Sequence, residues 1–257
     1  SIYLYKTTSY NKIKIMSKFE LPTETIELPS KGILYPEDSE LAKGTIEMKY
    51  MTAREEDILT NQSYIQKGTV LDKLMKSLIV SKIDYNSLLL GDKNAIMVAA
   101  RVLGYGKDYK FTYNGENHTV DLSKLENKDL NENLFKDKTN EFTFKLPHSG
   151  NEVTFKLLTH KDEQDISREL EGLKKINKDS SPELTTRLKH IITSVNGERE
   201  KKDIREFVDN YLLARDSRAL REYVKQIQPD VDLTFFPDSY ESGVSIPIGV
   251  NFFWPDA

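Results

Sequence analysis

The sequence predicts an α+β fold of two related lobes, each a small antiparallel hairpin or sheet packed on about three helices. Three observations predict this class. Similar segments occur twice, in the same order, along the 257 residues. Short alternating runs typical of strands are interspersed with longer runs whose apolar residues recur at helical spacing. Hydrophobic residues make up only 38% and charged residues 30%, which favours two modest cores ringed by charge over one large core.

Each half begins with a Leu-Pro loop that leads into a strand. The loop reads LPSKG at residues 28–32 and LPHSG at residues 146–150. Alternating runs follow at residues 45–50 (TIEMKY) and 152–157 (EVTFKL). Because alternation of apolar and polar residues is typical of a strand with one buried face, we expect one strand at each place.

A helix start follows each of these strands. Thr52 precedes Glu55 by three residues, and Thr159 precedes Asp162 by the same spacing. A hydroxyl followed at this distance by a carboxylate indicates a capping box, in which the two side chains serve the free N–H groups at the positive end of a helix. We therefore expect helices to begin after Thr52 and Thr159.

A second helix is expected in each half. Residues 70–79 (VLDKLMKSLI) and 183–192 (ELTTRLKHII) carry apolar residues at helical spacing on one face. Ser181 and Pro182 precede the later segment. This pair predicts a serine N-cap followed by proline at the first helical position.

A third helix follows at residues 88–106 and 211–227. Both segments are rich in leucine, and each contains an aspartate with an alanine three residues further on. Aspartate is a favoured N-cap residue. Asp92 and Asp216 are therefore the predicted N-caps.

Each half closes with a predicted hairpin, at residues 110–122 and 233–246. In the first, Asn114-Gly115 separates two strand-like runs. Asn-Gly at this place is the strongest short hairpin signal, because both residues accept positive φ. The motif predicts structure and carries no functional expectation.

The two sets of elements indicate an internal duplication. The order of strand, three helices and hairpin recurs, and the separation between matching residues grows along this part of the chain: 107 from Thr52 to Thr159, 113 from Leu71 to Leu184 and 124 from Asp92 to Asp216. Loop insertions produce such a drift in a duplicated unit. A chance resemblance between amphipathic helices is the alternative.

These elements divide the chain into four predicted parts. They are an N-terminal extension (1–26), a first α+β lobe (27–126), a linker (127–140) and a second α+β lobe with an aromatic tail (141–257). The linker is polar and rich in Lys, Asp and Asn, which is typical of an exposed loop. Residues 1–15 precede MSKFELP, which reads like a translation start, so they are either upstream sequence or an extension.

Composition excludes several classes of function. The formal charge is −4 and no block of like charge stands out, so we expect no nucleic-acid partner. The absence of cysteine excludes disulfides, thiol catalysis and thiolate zinc sites. The longest apolar run, residues 95–103, is interrupted by Arg101 and is too short to cross a bilayer. No signal-peptide pattern opens the sequence.

The sequence contains no convincing catalytic motif. Residues 243–247 (GVSIP) approach a serine-nucleophile motif, but the last glycine is replaced by proline within a strand-like run. Residues 104–107 (GYGK) lack the spacing of a phosphate-binding loop and favour a helix stop, with glycine in a left-handed conformation. No acid is paired with a base in a recognisable frame. We therefore predict no catalytic residue, no cofactor and no enzymatic activity.

The four histidines predict no metal site. None of His118, His148, His160 and His190 is spaced as a metal-binding pair. We expect them to be surface or helix-capping residues, and His160 to act locally within its helix start.

The aromatic C-terminal tail, GVNFFWPDA at residues 249–257, has two open interpretations. As a continuation of a strand it would place Phe252 and Trp254 on the inner face and Phe253 on the other. Aromatic residues are also enriched at interface hot spots. Phe252, Phe253 and Trp254 are therefore candidates both for a core anchor and for a protein-docking edge.

Six segments between residues 27 and 257, taken in their joint order, resemble the baseplate hub assembly proteins of T-even-type contractile-tailed phages. No single segment is chemically diagnostic, so the resemblance rests on the order. The segments are ELPSKGILYPED, MTAREEDIL, LLLGDKNAIMVAARVLGYGKDY, IITSVNG, DSRALREYVKQIQPDVDL and IPIGVNFFWPDA.

The resemblance implies a non-enzymatic phage tail protein that acts in baseplate hub assembly through contacts with other baseplate or tail proteins. It implies a place in the host cytoplasm during assembly, and in the tail baseplate of the virion if the subunit is permanent. The alternative is a dedicated tail-assembly chaperone that is absent from the mature virion. Members of the family often carry cysteine pairs in two hairpins, as in a zinc ribbon. The turns at residues 113–119 and 236–243 contain none, so we predict no structural metal.

Overall fold

A computed structural model describes residues 21–237 and 242–254. It combines helices with small antiparallel sheets, which confirms the predicted α+β class. The helices are Ala53–Leu59 (α1), Gln62–Gln66 (α2), Val70–Leu78 (α3), Leu90–Tyr105 (α4), His160–Ile176 (α5), Glu183–Ile191 (α6), Lys201–Asn210 (α7) and Ala214–Ile227 (α8). The strands are Thr23–Glu27 (β1), Thr45–Lys49 (β2), Asp108–Tyr113 (β3), Glu116–Asp121 (β4), Phe142–Lys145 (β5), Glu152–Phe155 (β6), Ile192–Val195 (β7), Thr234–Phe235 (β8) and Val244–Ser245 (β9).

The first half begins with a strand that sequence reasoning had assigned to the N-terminal extension. β1 pairs antiparallel with β2, and Ile26 lies opposite Ile46. Its alternation is weak, because Thr, Glu and Thr surround its single strongly apolar residue. Residues 21–26 thus belong at least in part to the fold, and the remainder of the predicted extension lies outside the described residues.

The second half contains a three-stranded sheet in the order β5-β6-β7. β7 starts directly after α6, and Ile192 lies opposite Phe155 of β6. In the first half, Ile79 directly follows α3 and forms a single antiparallel bridge with Met48 of β2. The same contact is therefore made in both halves, and only the second extends it into a strand.

Both predicted capping boxes are present. The backbone N–H of Thr52 donates to Glu55 Oε2 at 2.8 Å, and that of Thr159 donates to Asp162 Oδ2 at 2.9 Å. α1 and α5 begin at the next residue in each case. A lysine, Lys49 at the end of β2 or Lys156 directly after β6, binds the second carboxylate oxygen at 2.7 Å.

α3 and α6 begin at Val70 and Glu183 as predicted, but the other predicted N-cap residues were wrong by one to three positions. Pro182, with a non-helical ψ of 54°, is itself the N-cap of α6 in place of Ser181. Leu89 and Leu213 are the N-caps of α4 and α8. The two aspartates predicted as caps therefore lie inside the first turn, where their carboxylates accept hydrogen bonds from loops distant in sequence.

The predicted hairpins form at both places. Asn114 and Gly115 have φ angles of 50° and 80°, so both adopt the positive φ that a tight turn between β3 and β4 requires. In the second hairpin β8 pairs with β9 over two residue pairs, and residues 238–241 of its loop lie outside the described residues. Gly106 ends α4 as predicted, although its φ of 85° and ψ of 175° are not left-handed helical.

The segment predicted as a linker is exposed over most of its length but is anchored at several points, among them two hydrogen bonds between Asn140 and the backbone of Leu157. Phe135 is buried and its ring lies 5.5 Å from that of Phe142. At the other end Lys128 donates its backbone N–H to the carbonyl of Asp230. The segment therefore packs against the second half.

Buried side chains of both halves form one continuous cluster, so the expectation of two separate cores was wrong. The halves also share backbone contacts: Leu90 N donates to Leu158 O at 3.2 Å, and His160 N donates to Leu88 O at 2.8 Å. Gly91 lies so close to the carbonyl of Pro229 that an added Cβ would approach that oxygen to 1.7 Å. Only glycine permits this approach of α4 to the second half.

Candidate interaction surface

The C-terminal aromatic residues complete a ring cluster between the β3–β4 hairpin and the second half. Phe252 packs edge-on against Tyr109 with centroids 4.8 Å apart, and against Phe253 at 5.3 Å. Phe111 contacts Phe235 at 5.8 Å. Edge-to-face pairs at these separations contribute a favourable interaction energy in addition to that from burying their apolar area. The tail thereby joins residues that lie more than a hundred positions apart.

The predicted strand alternation in the tail was wrong. Val250–Phe253 forms a 3₁₀ helix, with Phe252 N donating to Gly249 O at 3.0 Å. About three residues complete a turn of such a helix, so adjacent side chains point about 120° apart and not to opposite faces as in a strand. Phe252 and Phe253 are both buried, at 1% and 0% exposure, and Trp254 is 39% exposed.

This burial divides the three candidate interaction residues. Phe252 and Phe253 serve as core anchors and present no surface to a partner. Trp254 presents an exposed aromatic ring, and an interaction role for it stays a prediction.

A second exposed aromatic ring belongs to the same region of the chain. Phe236 follows β8 and is 64% exposed. A Cβ added to Gly243 would lie 3.0 Å from the Phe236 ring, so this ring lies over a glycine backbone. Phe235 packs against Phe111, and Phe253 packs against the buried Phe252, so an exposed ring follows a packed ring at both places. Sequence reasoning missed Phe236, although a Phe-Phe-Pro run at residues 235–237 could have indicated it.

The histidines occupy unrelated positions. His160 is buried, and the ring of His190 lies 2.8 Å from Glu169. The His118 ring packs against Phe111 at 5.7 Å, and His148 contributes its backbone N–H to Asp216. In residues 21–237 and 242–254, no group of three or more acidic or histidine side chains is arranged to hold a metal ion.

His160 belongs to a buried polar cluster that no sequence pattern had indicated. Its Nδ1 lies 3.1 Å from Lys93 Nζ, and its ring packs on Tyr85 at 4.6 Å. Asp72 accepts from the Tyr85 hydroxyl at 2.9 Å and pairs with Lys93 at 3.0 Å. Burial, followed by the charge of Lys93, lowers the pKa of His160. The buried imidazole joins α5 to α3 and α4, so the expectation that His160 is a surface or capping residue with a local role was wrong.

The weak serine motif has no catalytic geometry. Ser245 lies in β9 opposite Thr234, whereas a nucleophilic serine of this type sits on a sharp turn between a strand and a helix. The motif is explained by strand pairing.

None of the helices in the described residues is long and apolar enough to cross a membrane. No protein-family model, curated protein or solved structure matches this chain.

Proposed function

We propose that this protein acts in the assembly of a phage tail baseplate, at its hub, by binding other baseplate or tail proteins without catalysing a reaction. The observation that carries the proposal is the exposed Trp254 ring held next to two buried phenylalanines. Trp is the residue most typical of interface hot spots. A rigid support lowers the entropy lost when such a ring is bound.

The resemblance of the six ordered segments to baseplate hub assembly proteins supports the same proposal. Contacts that recur in both halves also support the proposal. The bridge between Met48 and Ile79 matches that between Phe155 and Ile192, and the two capping boxes match in their lysine partners. If the halves arose by duplication, as we infer, one chain carries two similar surfaces and can bridge two neighbouring subunits.

Variants of the tail test the docking role. We expect Trp254→Ser to keep the fold and to lose tail proteins in a pull-down from infected cells. Truncation after Val250 removes both buried phenylalanines, and we expect it to unfold at least the C-terminal region, seen by circular dichroism. Tyr211→Ser is the matched control, since Tyr211 is another exposed aromatic residue. Equal pull-down by Trp254→Ser and the wild type would contradict the proposal.

The alternative function is a chaperone that shields a tail protein before assembly and is absent from the virion. Mass spectrometry of purified tails separates the two. Peptides of this chain at stoichiometric level indicate a baseplate subunit, whereas their absence, together with pull-down of a tail protein from cells, indicates a chaperone.

A further inference from the structure

An apolar recess with a basic rim lies between α6 and α8. Its volume is about 270 Å³. α6 and α8 supply most of its lining, and Leu90 of α4 adds one residue from the first half. We call it the α6–α8 groove. Its floor is apolar and consists of Leu90, Leu158, Leu188, Ile191, Leu220 and Val224.

Four cationic side chains surround this floor: Lys128, Arg187, Arg221 and Lys225. This concentration is notable in a chain with a formal charge of −4. The only acidic side chain in the lining is Asp230, which already accepts from Asn94 Nδ2 at 3.1 Å and from the backbone N–H of Val231 at 2.8 Å. These hydrogen bonds already use one oxygen of the Asp230 carboxylate, and burial raises the pKa of this group.

The four cations differ in whether they already form an ion pair within the chain. Arg187 forms a two-pronged pair with Glu163 of α5. Arg221 donates Nε only to the carbonyl of Ser217, one turn earlier in α8. Within the described residues, neither Arg221 nor Lys225 lies within ion-pair distance of a carboxylate. Both side chains are exposed and stand one turn apart on the same wall.

We propose that the α6–α8 groove binds an acidic amphipathic helix of a partner protein, with its apolar face on the floor and its carboxylates at Arg221 and Lys225. This rests on the proposed function and names the chemistry of one partner segment. A groove between two helices suits a third helix that inserts apolar anchors. The basic rim selects acidic residues beside those anchors, because complementary charge favours the correct partner and repels basic ones.

Synthetic peptides test the proposal on the full chain. One peptide of about 14 residues carries Leu at helical i, i+3, i+4 and i+7 spacing and Glu elsewhere, and a second has Lys in place of every Glu. We expect fluorescence anisotropy to give a Kd below about 1 mM for the Glu peptide and binding at least about tenfold weaker for the Lys peptide. Added salt should weaken the binding of the Glu peptide, because exposed charge pairs are screened.

Variants locate the binding. The double variant Arg221→Glu/Lys225→Glu should weaken the Glu peptide at least about tenfold. The matched control Arg215→Glu/Arg218→Glu makes the same charge change on α8 outside the groove lining and should reduce binding far less. Val224→Trp fills the recess without changing the charge and should also weaken binding of the Glu peptide. Circular dichroism checks that each variant is folded.

Three results would overturn the proposal: no binding of the Glu peptide, equal binding of both peptides, or an equal loss in both double variants. These results are separable from failure of the proposed function. If the tail proteins are still pulled down but the groove variants bind the Glu peptide like the wild type, only the groove assignment fails. If the Glu peptide binds as expected but no tail protein is captured, only the baseplate role fails.

Discussion

Asp92 and Asp216 occupy the same position in α4 and α8, the third residue of the helix, and both hold the Leu-Pro loop of their own half. Asp92 Oδ1 accepts from the backbone N–H of Ser30 at 2.9 Å. Asp216 accepts from the backbone N–H groups of His148 and Ser149 at 2.8 and 2.9 Å. Since Ser30 and His148 both directly follow Leu-Pro, the two contacts correspond residue by residue.

The surroundings of the two carboxylates differ. Asp92 also accepts from the hydroxyls of Ser30 and Tyr35, each at 2.6 Å. Burial of this site, only partly offset by these hydrogen bonds, raises the pKa of Asp92. Burial also acts on Asp216, but there the backbone N–H donors outweigh it and lower its pKa.

Loop length accounts for the difference. Leu28 donates its backbone N–H to Gly44 O, and Leu146 donates to Asn151 O, so the first loop is eleven residues longer. The added residues bring Tyr35 over the start of α4, where its hydroxyl binds both Asp92 and the N–H of Leu89. Contact between carboxylate and loop backbone recurs in both halves, and the first half has added a buried hydroxyl network to it.

Mutations in the two capping boxes should show the largest difference between the halves in their effect on the free energy of unfolding. Glu55 is 0% exposed and binds Lys49, Thr52 and Ser77. We expect Glu55→Ala to lower the free energy of unfolding by about 3–5 kcal/mol, because it leaves a partly buried cation and three further donors without their acceptor.

The matched variant Asp162→Ala should cost only about 1 kcal/mol, the usual effect of losing a cap, since the paired Lys156 side chain is 32% exposed. Urea unfolding followed by circular dichroism measures both values. Similar losses would mean that burial does not distinguish the two boxes.

The two Leu-Pro loops should respond differently to alanine at their glycines. Gly32 and Gly150 have φ angles of 77° and 75°, so alanine costs about 1–2 kcal/mol at either place. At Gly32 a Cβ would also lie 2.5 Å from Ala42 O, whereas nothing lies within 4 Å at Gly150. We expect Gly32→Ala to lose about 1–3 kcal/mol more in the same unfolding measurement. Equal losses of stability would show that the longer loop adjusts to the added Cβ without strain.

Amide substitutions should separate the two aspartates. In Asp216→Asn, one of the two backbone N–H donors faces an NH₂ group and loses its acceptor, so we expect a loss of about 1–3 kcal/mol. In Asp92→Asn the hydroxyls of Ser30 and Tyr35 can rotate and accept from the amide, so the loss should be smaller. A larger loss at Asp92 in urea unfolding would contradict this assignment of donors.

The smallest expected effect is that the stability contributions of Asp92 and Asp216 depend on pH in opposite directions. The folded pKa of Asp216 lies below its ordinary 3.8, so its stabilisation is present above pH 3.8 and is lost as the pH falls through the folded value. The folded pKa of Asp92 is raised, so its contribution is present below pH 3.8 and is lost as the pH rises through the folded value. The stability gap between the wild type and Asp92→Asn should therefore widen from neutral to acidic pH.

The gap between the wild type and Asp216→Asn should instead stay constant above pH 3.8 and narrow below it. Urea unfolding across this pH range, followed by the fluorescence of the single tryptophan, measures both gaps. A parallel course of the two gaps would contradict the assignments.

Local features were predictable because neighbouring residues decide them. The capping boxes at Thr52 and Thr159 and the turn at Asn114-Gly115 form where the sequence indicates, since each requires only residues within a few positions. Gly106 ends its helix for the same reason. The sequence by itself determined these starts, stops and turns, together with the α+β class.

The tertiary structure decided what depends on distant partners. Asp92 and Asp216 look like caps in sequence, yet their hydrogen bonds come from loops 57 to 68 residues away. Alternation placed Phe253 outward, but packing against the β3–β4 hairpin turned the tail into a 3₁₀ helix that buries it. The α6–α8 groove is lined by residues from Leu90 to Asp230. Such features arise from the burial of apolar surface between elements, which no local pattern records.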